Sequence, residues 1–239
     1  MVNSVGGGGT LLTFPSLLAA GVLPLTANGT SSFSLVPGAL SSYWGYRHEV
    51  GDDKRVLWAL AIPSLAGGWL GAQLALWSSD ALFSALVPWL ILVATVLFAL
   101  QEPIRRRFAT GGAEPVLTTG RIVSLVAMQL VVAVYGGYFG AGMGILMLAA
   151  LGLMGETNLH RMNALKNLAA ACINGVGTIT FVVGGRVYWP YALLMAAGAI
   201  LGGFAGAGIA RRIGQKNVRR LVIAIGVALT AQMLYRRFA

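Results

Sequence analysis

The residues with the clearest chemical use in this sequence are glycines in two short runs. One run is Gly6–Gly9, and the other is the segment 140–144, Gly-Ala-Gly-Met-Gly. Glycine lets a backbone approach a ligand closely, and the free N–H groups at the start of a helix favour an anion. We therefore predict an anion-binding site at these runs. Its predicted backbone contacts are Gly7, Gly8, Gly9, Gly140, Gly142 and Gly144.

Amide and hydroxyl side chains follow both glycine runs at helical spacing. Asn163, Lys166 and Asn167 fall on one face of a helix, and Asn174 continues that face. Such side chains can bind a small oxyanion without the desolvation cost of several full charges. The side chains that we predict to contact the anion are Asn28, Ser31, Ser32, Asn163, Lys166 and Asn167.

Alternatives stay open for these residues. The glycines could serve only close helix packing, which is the role we expect for the G-x-x-x-G pairs Gly67/Gly71 and Gly198/Gly202. Lys166 is either a functional cation within the membrane or a side chain that snorkels to the nearby interface. Glu156 and His160 could relay protons, but their position in a short polar turn favours solvated loop residues.

The composition places these residues in a membrane protein. Of 239 residues, 57% are hydrophobic and 10% are charged, whereas a soluble domain carries about 25% charged residues. Seven acidic and seventeen basic residues cannot cover a soluble surface of this size, so the exterior must face membrane lipid. The net charge of +10 then indicates basic loops at one membrane face rather than a nucleic-acid partner.

Charge-free stretches predict an all-α, polytopic fold. A spanning helix needs about 20 apolar residues. Single spans are predicted over Val56–Ser79, Ala81–Gln101, Val187–Ala210 and 218–235, with a further one from near Arg161 to Gly185. Met1–Tyr46 and Ile122–Gly155 are too long for one helix and hold the glycine runs, so we predict helices broken within the membrane, the second at Gly136–Gly144.

The two broken segments are related by an internal repeat. Gly6–Leu12 aligns with Gly140–Leu146, and Asn28 aligns with Asn163. We predict a first repeat over 1–104, a cytoplasmic linker over 105–120 and a second repeat over 121–239, each with a glycine-broken helix followed by three transmembrane helices. Because residue 1 lies almost on the first glycine run, the opening leg of the first repeat is expected to be short or missing.

The distribution of basic residues predicts that the two repeats are inverted. Twelve of the seventeen lie in the segments 47–55, 102–121 and 211–220, which the positive-inside rule assigns to the cytoplasm. The segment 184–187, the repeat equivalent of 47–55, holds only Arg186 and is therefore predicted to lie outside. Arg236 and Arg237 at the C-terminus argue against this topology.

The motifs resemble those of a known family. Gly6–Pro15, the segment Thr26-Ala27-Asn28-Gly29-Thr30-Ser31, Pro37-Gly38-Ala39 and Trp44–Arg47 resemble the first half of the sulfite exporter TauE/SafE family. The segments 140–144 and 161–167 resemble that family's second half. The resemblance implies an integral membrane carrier for sulfite, sulfoacetate or related anions, with the predicted glycines, Asn28, Ser31, Asn163, Lys166 and Asn167 as substrate contacts.

Together these features predict a secondary transporter of small sulfur-containing or organic anions that works by alternating access in a bacterial cell membrane. The alternatives are an anion channel and a non-transporting membrane scaffold subunit. We expect no enzymatic activity, no cofactor and no metal, because the sequence carries no nucleotide-binding, hydrolase or Cys/His motif. The expected partners are a small anionic substrate and lipid. The coupling ion and the oligomeric state are left open.

Overall fold

A computed structural model describes residues 9–46, 48, 54–108, 119–153, 156, 158–200 and 223–228, together with 230, 231, 233 and 235. These residues form helices joined by short turns, with no strand among them, which confirms the all-α prediction. The helices are α1 Thr10–Ala19, α2 Pro24–Tyr46, α3 Lys54–Trp77, α4 Asp80–Phe108, α5 Thr119–Tyr138, α6 Met143–Leu153, α7 Leu159–Val183 and α8 Trp189–Ile200.

Four of the described helices are long and apolar enough to cross a membrane. They cover Lys54–Trp77, Asp80–Leu100, Thr119–Tyr138 and His160–Val183, close to the predicted spans. Large apolar side chains such as Val131 and Val183 point outward, at 71% and 84% exposure. In a soluble protein this surface would face water, so its apolar character fits contact with lipid.

Both overlong segments hold a short helix and a long helix. Within Met1–Tyr46 the turn lies at residues 20–23, and of the glycine run only Gly9 is described. The short helices α1 and α6 have 10 and 11 residues. At 1.5 Å per residue each is about 15 Å long, roughly half of the hydrocarbon thickness. The second break lies at Phe139–Gly142, inside the predicted Gly136–Gly144 interval, but Gly136 and Gly137 belong to α5.

Helix packing explains why those two glycines stay helical. A Cβ on Gly137 would lie 2.1 Å from the carbonyl oxygen of Gly68, and one on Gly71 would lie 2.1 Å from that of Val134. The absence of side chains therefore lets α3 and α5 touch backbone to backbone. This is the role predicted for Gly67 and Gly71. At Gly198 no described atom lies within 4 Å of a Cβ position, and Gly202 lies outside the described residues.

The contacts give the relative directions of the helices. Near the start of α3, Leu60 clusters with Leu125 of α5 and Leu165 of α7, whereas its middle residue Gly68 lies against Gly137 and Ile173. The helices α3, α5 and α7 therefore run parallel. Helix α6 is antiparallel to these three helices, because Leu148 and Leu151 in its last turns pack against Leu60, Leu125 and Leu165 near the starts of α3, α5 and α7.

Helix α2 runs antiparallel to α7. Gly29 near its start faces Phe181 near the end of α7, and Ala39 lies in one cluster with Ala169 and Ala170. The pairs α1–α2 and α6–α7 thus share the order short helix, turn, long helix, and their long helices point in opposite directions. This arrangement agrees with an inverted repeat. The full repeat and its domain limits stay a prediction, since residues 201–222 lie outside the described part.

Candidate functional site

The break between α5 and α6 is built by glycines in a backbone conformation that other residues rarely adopt. Gly140 has φ +79° and Gly142 has φ +78°. The Tyr135 hydroxyl donates a hydrogen bond of 2.6 Å to the carbonyl oxygen of Ala141, within the break. Gly140 and Gly142 are buried, and Gly144 lies in the first turn of α6. The break is thus a fixed turn inside the protein, from which α6 starts.

The start of α1 lies beside this break. A Cβ on Gly140 would be 3.9 Å from the hydroxyl oxygen of Thr10, and the rings of Phe14 and Phe139 pack edge to face with centroids 5.1 Å apart. Gly9 precedes α1 and offers no side-chain cap to its first N–H groups. Helix α1 is antiparallel to α2, because a short turn joins them and Thr13 lies beside Ser31. Since both α2 and α6 are antiparallel to α7, the two short helices α1 and α6 point away from each other. Their positive N-terminal ends therefore meet at the break.

Helix α2 adds polar side chains to the same place. The Asn28 side chain donates from Nδ2 to the carbonyl oxygen of Tyr138, 2.9 Å away, where α5 ends. The Ser31 hydroxyl lies 2.5 Å from that of Thr13 on α1. We call the group formed by Gly9, Thr10, Thr13, Asn28, Ser31 and Gly140 the break cluster. It combines backbone from both glycine runs with two side chains predicted from the sequence, Asn28 and Ser31, and two that were not predicted, Thr10 and Thr13.

Ser32 has a different environment from Ser31. Its hydroxyl donates to the Asn28 carbonyl oxygen one turn earlier on the same helix, at 2.9 Å, and the residue is half-buried. Ser32 is therefore satisfied within α2. Gly7 and Gly8 lie outside the described residues, so the structure places neither of them.

The predicted contacts on α7 form a second group, which we call the lysine cluster: Asn163, Lys166 and Asn167. The Lys166 ammonium donates to Oδ1 of Asn163 at 3.0 Å, as the helical spacing predicts. Lys166 is 1% exposed and Asn167 is 3% exposed. A snorkelling lysine would carry its ammonium out to the interface, so this burial favours the functional alternative for Lys166.

The two clusters are separated along the axis of α7. Ile173 lies level with the break, because a Cβ on Gly136 would be 3.1 Å from its side chain and 2.8 Å from the sulfur of Met143. Lys166 precedes Ile173 by seven residues, which is about 10 Å of helix. The structure therefore divides the predicted contacts between two positions. One is the break, and the other lies about 10 Å nearer the starts of α3 and α5, which carry Lys54, Arg55 and Arg121.

Buried polar atoms without partners connect the two clusters. Among the described residues, Asn28 Oδ1, Asn167 Nδ2, Asn174 Nδ2 and the Thr178 hydroxyl lack a hydrogen-bond partner. Asn167, Asn174 and Thr178 share one stripe of α7 with Phe181, which contacts Gly29 of α2. Unmet buried polar groups are costly, and they cluster where a ligand or water completes them. Thr178 is absent from the predicted contacts, although its spacing from Asn174 was available in the sequence.

The turn before α7 contains an ion pair. Glu156 is 7% exposed and accepts a hydrogen bond from the backbone N–H of Asn158. Its other carboxylate oxygen lies 3.3 Å from the Arg161 guanidinium. His160 is exposed. The expectation of solvated residues thus fits His160 but is wrong for Glu156. The pairing of Glu156 with Arg161 could not be predicted from helical spacing, because the two residues are five positions apart.

The comparisons with known proteins find a transporter family and probable membrane transporters. The family model described as "Sulfite exporter TauE/SafE" matches residues 1–233. Similar curated proteins are a "Probable membrane transporter protein" of Haemophilus influenzae, 28% identical over 98% of this chain and 89% of its own length, and YfcA of Escherichia coli, 28% identical over 98% and 85%. YunE of Bacillus subtilis is 28% identical over 97% and 91%.

All three relatives are bacterial and carry the name of probable membrane transporters. No solved structure matches the chain. The predicted class, an integral membrane transporter rather than an enzyme, and the predicted bacterial membrane location are confirmed. The scaffold alternative does not fit this class.

Proposed function

Because the chain belongs to the sulfite exporter TauE/SafE family of membrane transporters, we propose that it carries a small sulfur-containing or organic anion, such as sulfite or a sulfonate like sulfoacetate. The observation that supports this most is the meeting of two half-helix N-termini in a buried, glycine-lined break. Each end carries about half a positive charge from its helix dipole, and the two together suit an oxyanion.

The transport mechanism that we propose is alternating access around the break cluster. Irregular backbone at membrane depth is tolerated where protein or a water-lined cavity surrounds it, and opposed broken helices are typical of secondary transporters. The pairs α1–α2 and α6–α7 each contribute one half-helix to the break. A relative movement of these pairs would expose the bound anion first to one side of the membrane and then to the other.

The lysine cluster acts in this proposal as a second binding position for the anion, nearer the basic helix ends than the break. We call this position the inner station. Lys166 supplies a full positive charge about 10 Å from the break, toward the helix ends that carry Lys54, Arg55 and Arg121. The unmet amide donors of Asn167, beside Lys166, and of Asn174, next to Ile173 at the level of the break, lie on one stripe of α7 that joins the two positions. An anion that leaves the break toward the basic face would meet these donors in turn.

The test is anion flux in proteoliposomes made with purified protein. We expect saturable uptake of sulfite or a sulfonate that competes with unlabelled anion. Uptake that rises without saturation at channel-like rates would favour the channel alternative. Lys166→Ala and Asn163→Ala should strongly reduce the flux at normal expression, and undiminished flux in both would contradict the inner station.

A further inference from the structure

We propose that the anion held at the break is singly charged and carries its own hydrogen-bond donor, as hydrogen sulfite or a hydroxyl-bearing sulfonate does. Within the proposed substrate class this excludes sulfoacetate, which at neutral pH is a dianion without such a donor. This inference rests on the proposed function, since it specifies the anion at the same site. It is carried by the orientation of one buried amide, Asn28, and by the charge that the break can offer.

The orientation of the Asn28 amide is fixed by its partner. The carbonyl oxygen of Tyr138 can only accept, so the Asn28 nitrogen must face it, at 2.9 Å. The amide oxygen is therefore an acceptor. Asn28 is 1% exposed, and within the described part of the chain its Oδ1 has no donor. A ligand oxygen without hydrogen would be repelled there, whereas an O–H group would complete the bond.

The other polar side chains near the break can all donate to the oxygens of the anion, since an amide nitrogen and a hydroxyl each carry a donor hydrogen. Several of the first N–H groups of α1 and α6 already donate to backbone carbonyl oxygens, as Leu12 does to Gly9 and Ile145 does to Gly142. These two helix starts therefore offer the anion chiefly the positive ends of their dipoles. On the neighbouring stripe of α7, Asn174 Nδ2 and the Thr178 hydroxyl lack partners among the described residues. The site thus presents several donors and one fixed acceptor, a pattern that matches an oxyanion bearing one O–H.

The available charge also favours a monoanion. Two helix N-termini supply about one elementary charge in total. The break cluster includes no Lys or Arg among its described residues, and Lys166 lies about 10 Å along α7. A dianion would therefore keep one charge uncompensated in a region of low dielectric constant, which is costly.

The test compares two sulfonates with the same number of heavy atoms, isethionate and 1-propanesulfonate, for binding to purified full-length protein. Both are monoanions at neutral pH, and only isethionate carries a hydroxyl group. We expect isethionate to bind at least about tenfold more tightly, because the other anion leaves a buried acceptor unmet.

Two variants assign the difference to Asn28. Asn28→Leu removes the acceptor at similar volume and should bring the ratio of the two affinities close to one. Gln129→Met is the control, because it replaces another buried amide whose Nε2 donates to Ser64 on the α3–α5 contact. The control should keep the wild-type ratio.

Equal affinity of wild-type protein for the two sulfonates, with sulfite flux intact, would overturn the inference and leave the proposed function standing. A ratio that survives in Asn28→Leu would overturn the assignment of the acceptor. Binding of neither sulfonate together with no anion flux would contradict both proposals. The comparison in wild-type protein needs no variant, so a failure of Asn28→Leu to fold does not remove the test.

Discussion

At the scale of single residues, Lys166 is a cation buried among helices rather than at their ends. It is 1% exposed, and its ammonium donates to Asn163. Burying a charge is expensive, and ionisable residues inside a membrane region mark function by default. Helical spacing predicted the Lys166–Asn163 contact. It could not predict the distance of Lys166 from the break, because that depends on how α5, α6 and α7 are aligned.

Lys166→Met keeps the length of the side chain and removes its charge. We expect at least about a tenfold loss of anion flux, since the inner station loses its full charge. Lys54→Met is the matched control, because Lys54 is exposed at the start of α3, and it should keep flux near wild type. Initial rates in proteoliposomes at equal protein content measure both. Equal rates for the two variants would contradict the role of Lys166.

Two ion pairs of different exposure provide a second comparison at this scale. Glu156 pairs with Arg161 at side-chain exposures of 10% and 24%, whereas Asp80 pairs with Arg186 at 46% and 34%. Glu156→Gln should lower the free energy of unfolding by about 1–3 kcal/mol, because it leaves a largely buried guanidinium without its carboxylate. Asp80→Asn should change it by about 0–1 kcal/mol. Thermal unfolding in detergent tests the order, and an equal or larger effect at Asp80 would contradict it.

At the scale of helices, glycines serve two purposes that the sequence alone does not separate. Gly140 and Gly142 allow the break through positive φ, while Gly136 and Gly137, only a few residues earlier, remain helical. At Gly137 the absence of a side chain lets α5 contact the backbone of Gly68 in α3. The existence of a break followed from the length of the segment and its glycines. Its location within the run depended on which glycines face a neighbouring helix.

Gly140→Ala tests the break. The positive φ costs roughly 1–2 kcal/mol for a residue with a Cβ, and this Cβ would also lie 2.9 Å from the Gly136 carbonyl oxygen. We expect lower thermal stability and strongly reduced flux. Gly21→Ala is the control, since Gly21 has φ +80° but no atom within 4 Å of its Cβ position. It should lose stability through φ alone and keep transport. Loss of flux in both variants to the same extent would contradict a specific role for the break.

At the scale of the whole molecule, the scarcity of charge was the most informative sequence feature. The charge-free stretches predicted most bounds of the spans in α3, α4, α5 and α7 to within a few residues. They could do so because a spanning helix must exclude charge over a fixed length. The antiparallel packing of α2 on α7 could not be read from composition. It agrees with the inverted repeat that the basic residues predicted.

Cysteine labelling measures membrane sidedness, starting from a Cys172→Ser background, which removes the single native cysteine. Ser79→Cys and Tyr188→Cys, both at exposed positions, should react with a membrane-impermeant maleimide in intact cells. Lys54→Cys should react only after permeabilisation, because the positive-inside rule places it in the cytoplasm. Labelling of Lys54→Cys and Tyr188→Cys from the same side would contradict the inverted topology.

The central claim is that the chain moves a small anion through a site at the meeting of two half-helices. The most direct measurement is uptake of radiolabelled sulfite by proteoliposomes that contain wild-type protein, with protein-free liposomes and Gly140→Ala proteoliposomes measured in parallel. The proposed site predicts saturable uptake in wild type that falls strongly in Gly140→Ala. Wild-type uptake no greater than that of protein-free liposomes, for sulfite and for a panel of sulfonates, would contradict it.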